Sequence, residues 1–598
     1  MARRGPQRRT IRSMSGDKGD GEKKKSFGSF AELAGKVTPK DEDRGWTLET
    51  DADQEAPDLE ALAERGGGVR ERIAARPDAL GVMDTGPPCY RDARSDEMEL
   101  LASFQIRTAF PADVSSEAAE LSNDPEESSW GQRVDLREQV VFTIDGEDAK
   151  DFDDAIGVRP LDDGGLEVGV HIADVGHYVS PGSSLDEEAL ARATSVYLPD
   201  QVVPMLPEEL SNGLCSMVEG RPRLVFSVLM SFDQNGARTG VVIHKSVIQS
   251  NKRCTYRGVQ ELLDGDSTEA AQALMPLKAE LQLLSDWARK QQSLREASGA
   301  MRISSSERKL VFDDEGEVSA VIDAPRYFTM SLVEETALAA NQAVGDRFVE
   351  LGVPTIYRVH PEKDPEEVAE ILKMLDEHGL RIPNKDRLTA RDVSRLIREA
   401  RRKKNADALI GRIMGLVERA VYAVHDEKDQ AAHFGLAKRR YLHFTSPIRR
   451  YPDLIVHRWL HQVGQDADAT REELKTEALL ADLNETAEHC SLRSEMADMA
   501  SRSVGDLKIC QFMDPHCGEI LEAKVLRVSP GGMEVRLLEA NVSGFLPRSA
   551  LGDRVQVKGS TLKVLAGRKS LSFSEGQSVR VRLREVDFIR LQLLLELP

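Results

Sequence analysis

Six carboxylates crowd the thirteen residues "TIDGEDAKDFDDA" (Thr143–Ala155): Asp145, Glu147, Asp148, Asp151, Asp153 and Asp154. They follow "REQVVF", a short apolar run that reads as a strand, so the charges fall at the end of a core element. Like charges this close repel one another and destabilise a fold unless something neutralises them. A solvated acidic loop is the simplest account of such a run. Against it, Asp151, Asp153 and Asp154 are short-stemmed, and Phe152 between them can anchor the loop to the core. One turn of chain also suffices to bring 151–154 back beside Asp145. Clustered aspartate oxygens are what a hard cation such as Mg²⁺ requires. Such ions can clamp both the attacking water and the leaving oxygen of a phosphodiester. Glu147 and Asp148 are expected to be exposed or to help hold the turn.

A second segment is complementary in charge. "AAHFGLAKRRYLHFTSPIRRYPDLIVHRWLH" (431–461) carries six Lys/Arg and a single acid, Asp453. Ser446-Pro447 reads as a helix N-cap and first helical residue. That places Arg449 and Arg450 in the first turn, where backbone N–H groups and the helix dipole attract anions. Arginine suits bidentate capture of phosphate. The competing account is a helix start whose arginines pair with surface acids. An acidic cluster and an arginine pair in one chain together point to phosphodiester chemistry.

The whole chain of 598 residues bounds the context. That length predicts several domains. A formal charge of −21 disfavours a protein that coats nucleic acid through its overall field, though not one with a locally basic channel. Six scattered cysteines (Cys89, Cys215, Cys254, Cys490, Cys510, Cys517) form no zinc-ligand spacing and suggest reduced thiols, hence a cytoplasmic setting. No apolar run reaches membrane-helix length, so no membrane partner is expected. The first twelve residues hold five arginines and no acid, which leaves an organellar presequence as a second reading. Residues 1–92 read as low-complexity and poorly ordered: "GDKGDGEKKK" is followed by ten acids against two arginines over 41–65, then by "ERGGG" and "DTGPP". From about 93 the pattern is globular, with strands predicted near 140–144, 166–173 and 224–231. Helical spacing dominates about 267–510, and the last eighty or so residues revert to short strands with Gly/Pro turns, a small β-barrel.

The motifs then resemble a family. "TIDGEDAKDFDDAI", "HIADVGHYV", "TSVYLPDQVVPMLPEELSNGLCSM", "LVEETALAANQAV", "YRVHPEK" and "FGLAKRRYLHFTSPIRRYPDLIVHR" occur in the order seen in the RNase II/RNase R family, across its catalytic RNB domain. The resemblance implies a multidomain α+β fold. Residues 93–137 would be a linker, 138–513 a mixed α/β RNB domain with an RNA channel, and 514–598 an S1-type OB barrel. It implies Mg²⁺-dependent hydrolysis (with Mn²⁺ as a substitute) of single-stranded RNA from the 3′ end to nucleoside 5′-monophosphates. It further implies a monomer that works with RNA-decay partner proteins. Carried across residue by residue, Asp145, Asp151, Asp153 and Asp154 match the family's four aspartates. All four would form the metal site: Asp145 and Asp154 as the most direct ligands, Asp151 as a further or water-mediated one, and Asp153 as the aspartate on which cleavage most depends. Tyr197 matches the tyrosine that stacks on the terminal base. Arg449 matches the arginine that holds the scissile phosphate, with Arg450 in support. His171, Asp174 and His177 look like a metal cluster but read as structural, since histidine is not the preferred Mg²⁺ ligand.

Three departures from the family stand out. No cold-shock-type barrels are legible in 1–92. The barrel has "VSPGGMEV", so Gly532 or Met533 stands where an aromatic stacks in relatives, with Phe545 alone nearby. A family glutamate is replaced by Ser501 in "MASRSVGDLK", which predicts a slower enzyme that Ser501→Glu would accelerate, unless Glu495 supplies the carboxylate. An RNA-binding scaffold built on an impaired domain is therefore the competing function. A two-metal DNA nuclease fits the chemistry but not the motif order.

Overall fold

The computed structural model describes Trp46–Glu49 and residues 95–598, apart from 122–123, 126, 302–307, 383–387, 404–405, 426–431, 553–554, 559–560 and 567–568. The expectation of disorder over 1–92 therefore lies, except for Trp46–Glu49, outside the described residues. At the centre stands an eight-stranded mixed sheet. Its strands are β1 (Trp46–Glu49), β2 (Val134–Asp135), β3 (Val141–Asp145), β4 (Asp154–Pro160) and β5 (Leu166–Ala173), with β8 (Pro222–Phe232), β9 (Arg238–Gln249) and β10 (Lys252–Thr255). A separate small hairpin joins β6 (Val196–Tyr197) to β7 (Val202–Val203). The sheet order is β1-β9-β8-β5-β4-β3-β10, with β2 also beside β9. From β3 to β9 the paired neighbours run antiparallel, whereas β1, β2 and β10 attach in parallel at the two edges.

The predicted strands are present, and their composition accounts for their place. "PRLVFSVLMSF" is apolar on successive residues rather than alternate ones, the pattern of a strand covered on both sides, and it is buried almost throughout. Phe232 meets Trp287 of the helix Lys278–Ser298, and Phe226 meets His457 of the helix Tyr451–Gln465, with ring centroids 5.2 and 5.0 Å apart. The helix Thr329–Leu351 packs beside Lys278–Ser298 over the same sheet. "DPEEVAEI" starts a helix as its sequence dictates: Asp364 caps Pro365–Glu377 by accepting from Glu366 N–H, with proline inside the first turn. Among these helices lie short strand pairs, such as Thr355–Val359 with Val421–His425, whose partners are too distant in sequence for local pattern to announce.

The C-terminal strands close into a five-stranded barrel of Ile520–Ser529, Gly532–Leu537, Val542–Pro547, Gln592–Glu596 and Ser578–Asp587. Alternate residues (Val525, Met533, Val535, Leu546, Val581, Leu595) fill its interior, the period-2 pattern expected of a small barrel. Cys510 and Met513 belong to the same apolar cluster, so the end of the 37-residue helix Glu477–Met513 packs against the barrel. The α+β, multidomain fold class holds. Among the described residues no helix is long and apolar enough to cross a membrane.

Candidate active site

The acidic loop is built by backbone contacts. β3 and β4 pair through Val141↔Gly157 and Phe142↔Ile156. Continuing that register sets Asp145 across from Asp153 where the strands part, with Asp154 opening β4. Phe152 is buried and its N–H donates to Ser216 Oγ (3.1 Å), while its carbonyl accepts from Met217 N–H (3.0 Å). Ser216 Oγ in turn donates to Lys150 O at 2.6 Å. Arg253 donates to the carbonyls of Gly146, Glu147 and Ala149, and its guanidinium lies 5.2 Å from the centroid of the Phe152 ring. These ties bring the aspartates back beside Asp145, with Phe152 as the anchor.

The basic segment meets this loop at Asp153, which is 3 % exposed. Ile448 N–H donates to Asp153 Oδ1 (2.9 Å) and Arg449 Nε donates to Asp153 Oδ2 (3.0 Å). Arg449 also donates through Nη2 to Ser446 Oγ at 3.1 Å. Here the sequence expectation needs correction. Ser446 and Pro447 do not begin the helix; it runs Tyr451–Gln465, with Arg450 as the N-cap and Pro452 in its first turn. The cause is a segment distant in sequence. Thr194 bridges to Arg450, Ser195 N–H donates to Arg449 O (3.0 Å), and Tyr451 N–H donates to Ala193 O (2.9 Å). Residue 450 is thereby drawn into an extended conformation (φ −141°, ψ 121°) that excludes helix. Arg449 thus lies in the turn before the helix, its side chain 41 % exposed. Arg450 places Nε and Nη2 on Asp453 (2.9 and 2.7 Å), whose Oδ1 also accepts Ser446 N–H at 2.8 Å, so this arginine braces the turn.

Tyr197 stands on β6 at the same junction, 43 % exposed. Its hydroxyl donates to Asp151 Oδ2 at 2.9 Å, and the Arg449 guanidinium carbon lies 5.9 Å from its ring centroid. Ser501 Oγ donates to the Tyr197 carbonyl at 2.6 Å. The serine thus holds the tyrosine's backbone rather than Arg449, and Glu495 pairs with Arg419 at 2.6 Å instead of serving the site. Sequence reasoning missed Tyr256. β10 runs parallel to β3 with Thr255 opposite Asp145, and Thr255 caps the helix Tyr256–Asp264, which brings the phenol into the field of Asp145 and Asp154. The pairing of these distant strands was the one signal for it.

Burial and mutual repulsion set the electrostatics. Burial raises Asp145 to about 8, and the charges of Asp154 and Asp153 push in the same direction, with Arg449 opposing. Asp153 rises to about 7 through burial, against the pull of Arg449 and the Ile448 N–H. Burial likewise lifts Asp154 to about 6. Ionised carboxylates are therefore costly here, and a cation would relieve the cost. Among the described residues, no three or more His, Cys, Asp or Glu side chains converge into a set able to hold a metal ion. The donors fit Mg²⁺ in kind, since all are carboxylate oxygens crowded at one strand end. His171, Asp174 and His177 are elsewhere: Asp174 is buried against Arg133 and Lys245 (2.5 and 3.2 Å), and His171 is buried beside Ser227 Oγ (2.7 Å) and held down at about 3 by burial. Asp174 and His171 sit as packing groups.

In the barrel, a side chain at Gly532 has no room. Its φ is +146°, and an added Cβ would lie 2.1 Å from Leu546 O and 2.9 Å from Phe545 Cζ. Met533 is wholly buried in the interior, not on a binding face as expected. Alternation along the strand turns it inward. Phe545 is the partly exposed ring at this position.

An RNB-type catalytic domain followed by an S1 domain is the class these features define: the family model described as "RNB domain" matches residues 133–466 and that described as "S1 RNA binding domain" matches 514–590. The chain belongs to the RNase II/RNase R family of exoribonucleases. It is 36% identical over 483 residues to Ribonuclease R of Thermotoga maritima, across 80% of this chain and 67% of that protein. To Ribonuclease R 1 of Lactococcus lactis it is 33% identical, across 83% of this chain and 60% of that protein. The chain thus spans about two thirds or less of the length of these curated relatives. Among solved structures it is similar to Mycoplasma genitalium RNase R in complex with ribose methylated single-stranded RNA, with a TM-score of 0.72 and 25% identity over 84% of this chain and 78% of that one.

Proposed function

We propose that this chain is a Mg²⁺-dependent 3′→5′ exoribonuclease that hydrolyses single-stranded RNA to nucleoside 5′-monophosphates. The observation that carries the reading is the junction at Asp153, where an acidic strand end, the turn bearing Arg449 and the tyrosine of a third element meet. Asp145 and Asp154 would hold the ion, with Asp151 reaching it through water. When bound, the ion polarises the phosphodiester and activates water. Tyr197 offers an exposed ring on which a terminal base stacks. Arg449, half-exposed and already oriented by Asp153 and Ser446, can pair with the scissile phosphate and with the charge that develops on it. Asp153 fixes that arginine and, raised to about 7, can accept a proton near neutral pH. The impaired-scaffold alternative is not favoured, because the aspartates and Arg449 are gathered at one site.

A 5′-labelled single-stranded RNA incubated with Mg²⁺ is expected to give a ladder shortening from the 3′ end, which EDTA abolishes. A 3′-phosphate should block the reaction and the matching DNA should persist. Internal cuts in circular RNA would reveal an endonuclease and overturn the reading.

A further inference from the structure

The hairpin carrying Tyr197 is held by one face of the long helix Glu477–Met513. Ala497, Ala500 and Val504 are buried with Val196, Leu198 and Val203 in one apolar cluster. Gly505 continues the row: a Cβ there would already lie 3.7 Å from Pro199 Cγ. Positions 497, 500, 501, 504, 505 and 508 recur at helical spacing, so they form a single stripe against the hairpin. Small residues let the two backbones approach, and two polar contacts then fix where they meet.

The first is Ser501, whose hydroxyl donates to the carbonyl of Tyr197 itself at 2.6 Å. The second is Lys508, two helical turns further on and buried. Its ammonium pairs with Asp200 in the hairpin's turn (3.0 Å) and with Glu97 of the helix Ser95–Ser103 (2.8 Å). Between them the turn is closed by Leu198 N–H donating to Gln201 O at 2.9 Å. Tyr197 is thus tied at its backbone to the long helix and at its tip to Asp151. A tyrosine on a two-residue strand has little else to set its height.

We propose that Ser501 and Lys508 are positioning residues for the terminal nucleotide: through the hairpin backbone they fix the height and tilt of the Tyr197 ring over the acidic loop. This rests on the reading of Tyr197 as the ring that seats the 3′ base. It assigns to Ser501 a contact that a glutamate cannot make, because an ionised carboxylate has no proton to donate to a carbonyl. Lys508 acts at longer range. Its buried ammonium pairs with both Asp200 and Glu97, so its removal takes away the tie that holds the hairpin's turn to the long helix.

The test uses the full chain in EDTA, with a short RNA ending in 3′ 2-aminopurine, whose fluorescence is quenched by stacking. Wild type should quench the probe and Tyr197→Ala should not. Ser501→Ala should weaken quenched binding by about three- to tenfold, the worth of one hydrogen bond. Ser501→Thr, which keeps the hydroxyl, should restore it, and Lys508→Met should mimic Ser501→Ala. In a Tyr197→Ala background, where the same RNA is followed by fluorescence anisotropy because the quench is gone, Ser501→Ala should lower affinity no further, because the ring it positions is gone. Quenching by Ser501→Ala equal to wild type overturns the proposal. So does an undiminished effect in the Tyr197→Ala background, which would mark general destabilisation, and so does a wild type that does not quench. A wild type that quenches yet leaves RNA intact with Mg²⁺ overturns the nuclease reading alone, and the quenching series still decides the positioning roles.

Discussion

Asp153 shows how one side chain can serve both fold and chemistry. Its two oxygens accept from Ile448 N–H and Arg449 Nε, so the aspartate orients the arginine while remaining buried. Asp153→Asn keeps the volume but turns an N–H₂ toward one of those donors and removes the charge. Hydrolysis of single-stranded RNA should fall by at least about a hundredfold, with RNA binding in EDTA little changed, as gel shift and single-turnover decay would show. At Asp145 burial is the largest cause of the rise, and the charges of Asp154 and Asp153 add to it. In EDTA at neutral pH, Asp145→Asn should therefore melt above wild type, since on folding the carboxyl must take up a proton or bear the repulsion of Asp154 and Asp153, and the amide does neither; a lower melting temperature would refute this. Ser501 reverses the family-based expectation. With its hydroxyl on Tyr197 O, Ser501→Glu loses the donor and sets a carboxylate beside a carbonyl. Single-turnover decay of a short RNA should be slower than wild type, not faster.

At the scale of elements, local pattern and structure agree where burial alone decides. The apolar runs of β3, β5 and β8 are buried strands, and "DPEEVAEI" is a capped helix. They disagree at 446–451. Ser446-Pro447 is a sound helix start by local rules, yet residues 193–195 impose a β-bridge on Arg450 from far away in sequence. Backbone pairing with a distant segment outweighed a cap worth about 1 kcal/mol. That shift is functional, since it puts Arg449 in the turn against Asp153 and not in the helix. The barrel makes the converse point about glycine. Gly532→Ala would force a Cβ onto Leu546 O at a φ of +146°, and should destabilise the barrel by about 1–3 kcal/mol. Denaturant melts of the full chain should show this as an earlier transition, with the catalytic sheet intact by circular dichroism.

For the whole molecule, the N-terminal segment has a part that its composition concealed. Trp46–Glu49 pairs in parallel with Val241–His244, beside β2 on the same edge of β9. Removing residues 1–92 exposes that stretch of edge, whose N–H and C=O groups lose their partners. The truncation should melt several degrees lower and associate more readily, while its rate on unstructured RNA stays close to wild type. A large loss of rate in a folded truncation would mean that the segment contacts RNA. The long helix Glu477–Met513 faces the Tyr197 hairpin along one stripe and packs its end against the barrel's apolar cluster. The Tyr197 hairpin and the barrel therefore pack on one helix.

The sequence by itself determined which chemistry-bearing residues exist and in what order: the aspartates after a core strand, the arginine pair, the tyrosine, and a barrel written in period-2 alternation. Spacing and burial are local properties, and local properties are legible in a single chain. The tertiary structure alone decided which donor meets which acceptor. Arg449 on Asp153, Ser501 on Tyr197, and Tyr256 near Asp145 join residues whose proximity depends on long-range strand and helix pairing. Geometry of that kind is set by packing the whole core, and no window of sequence contains it.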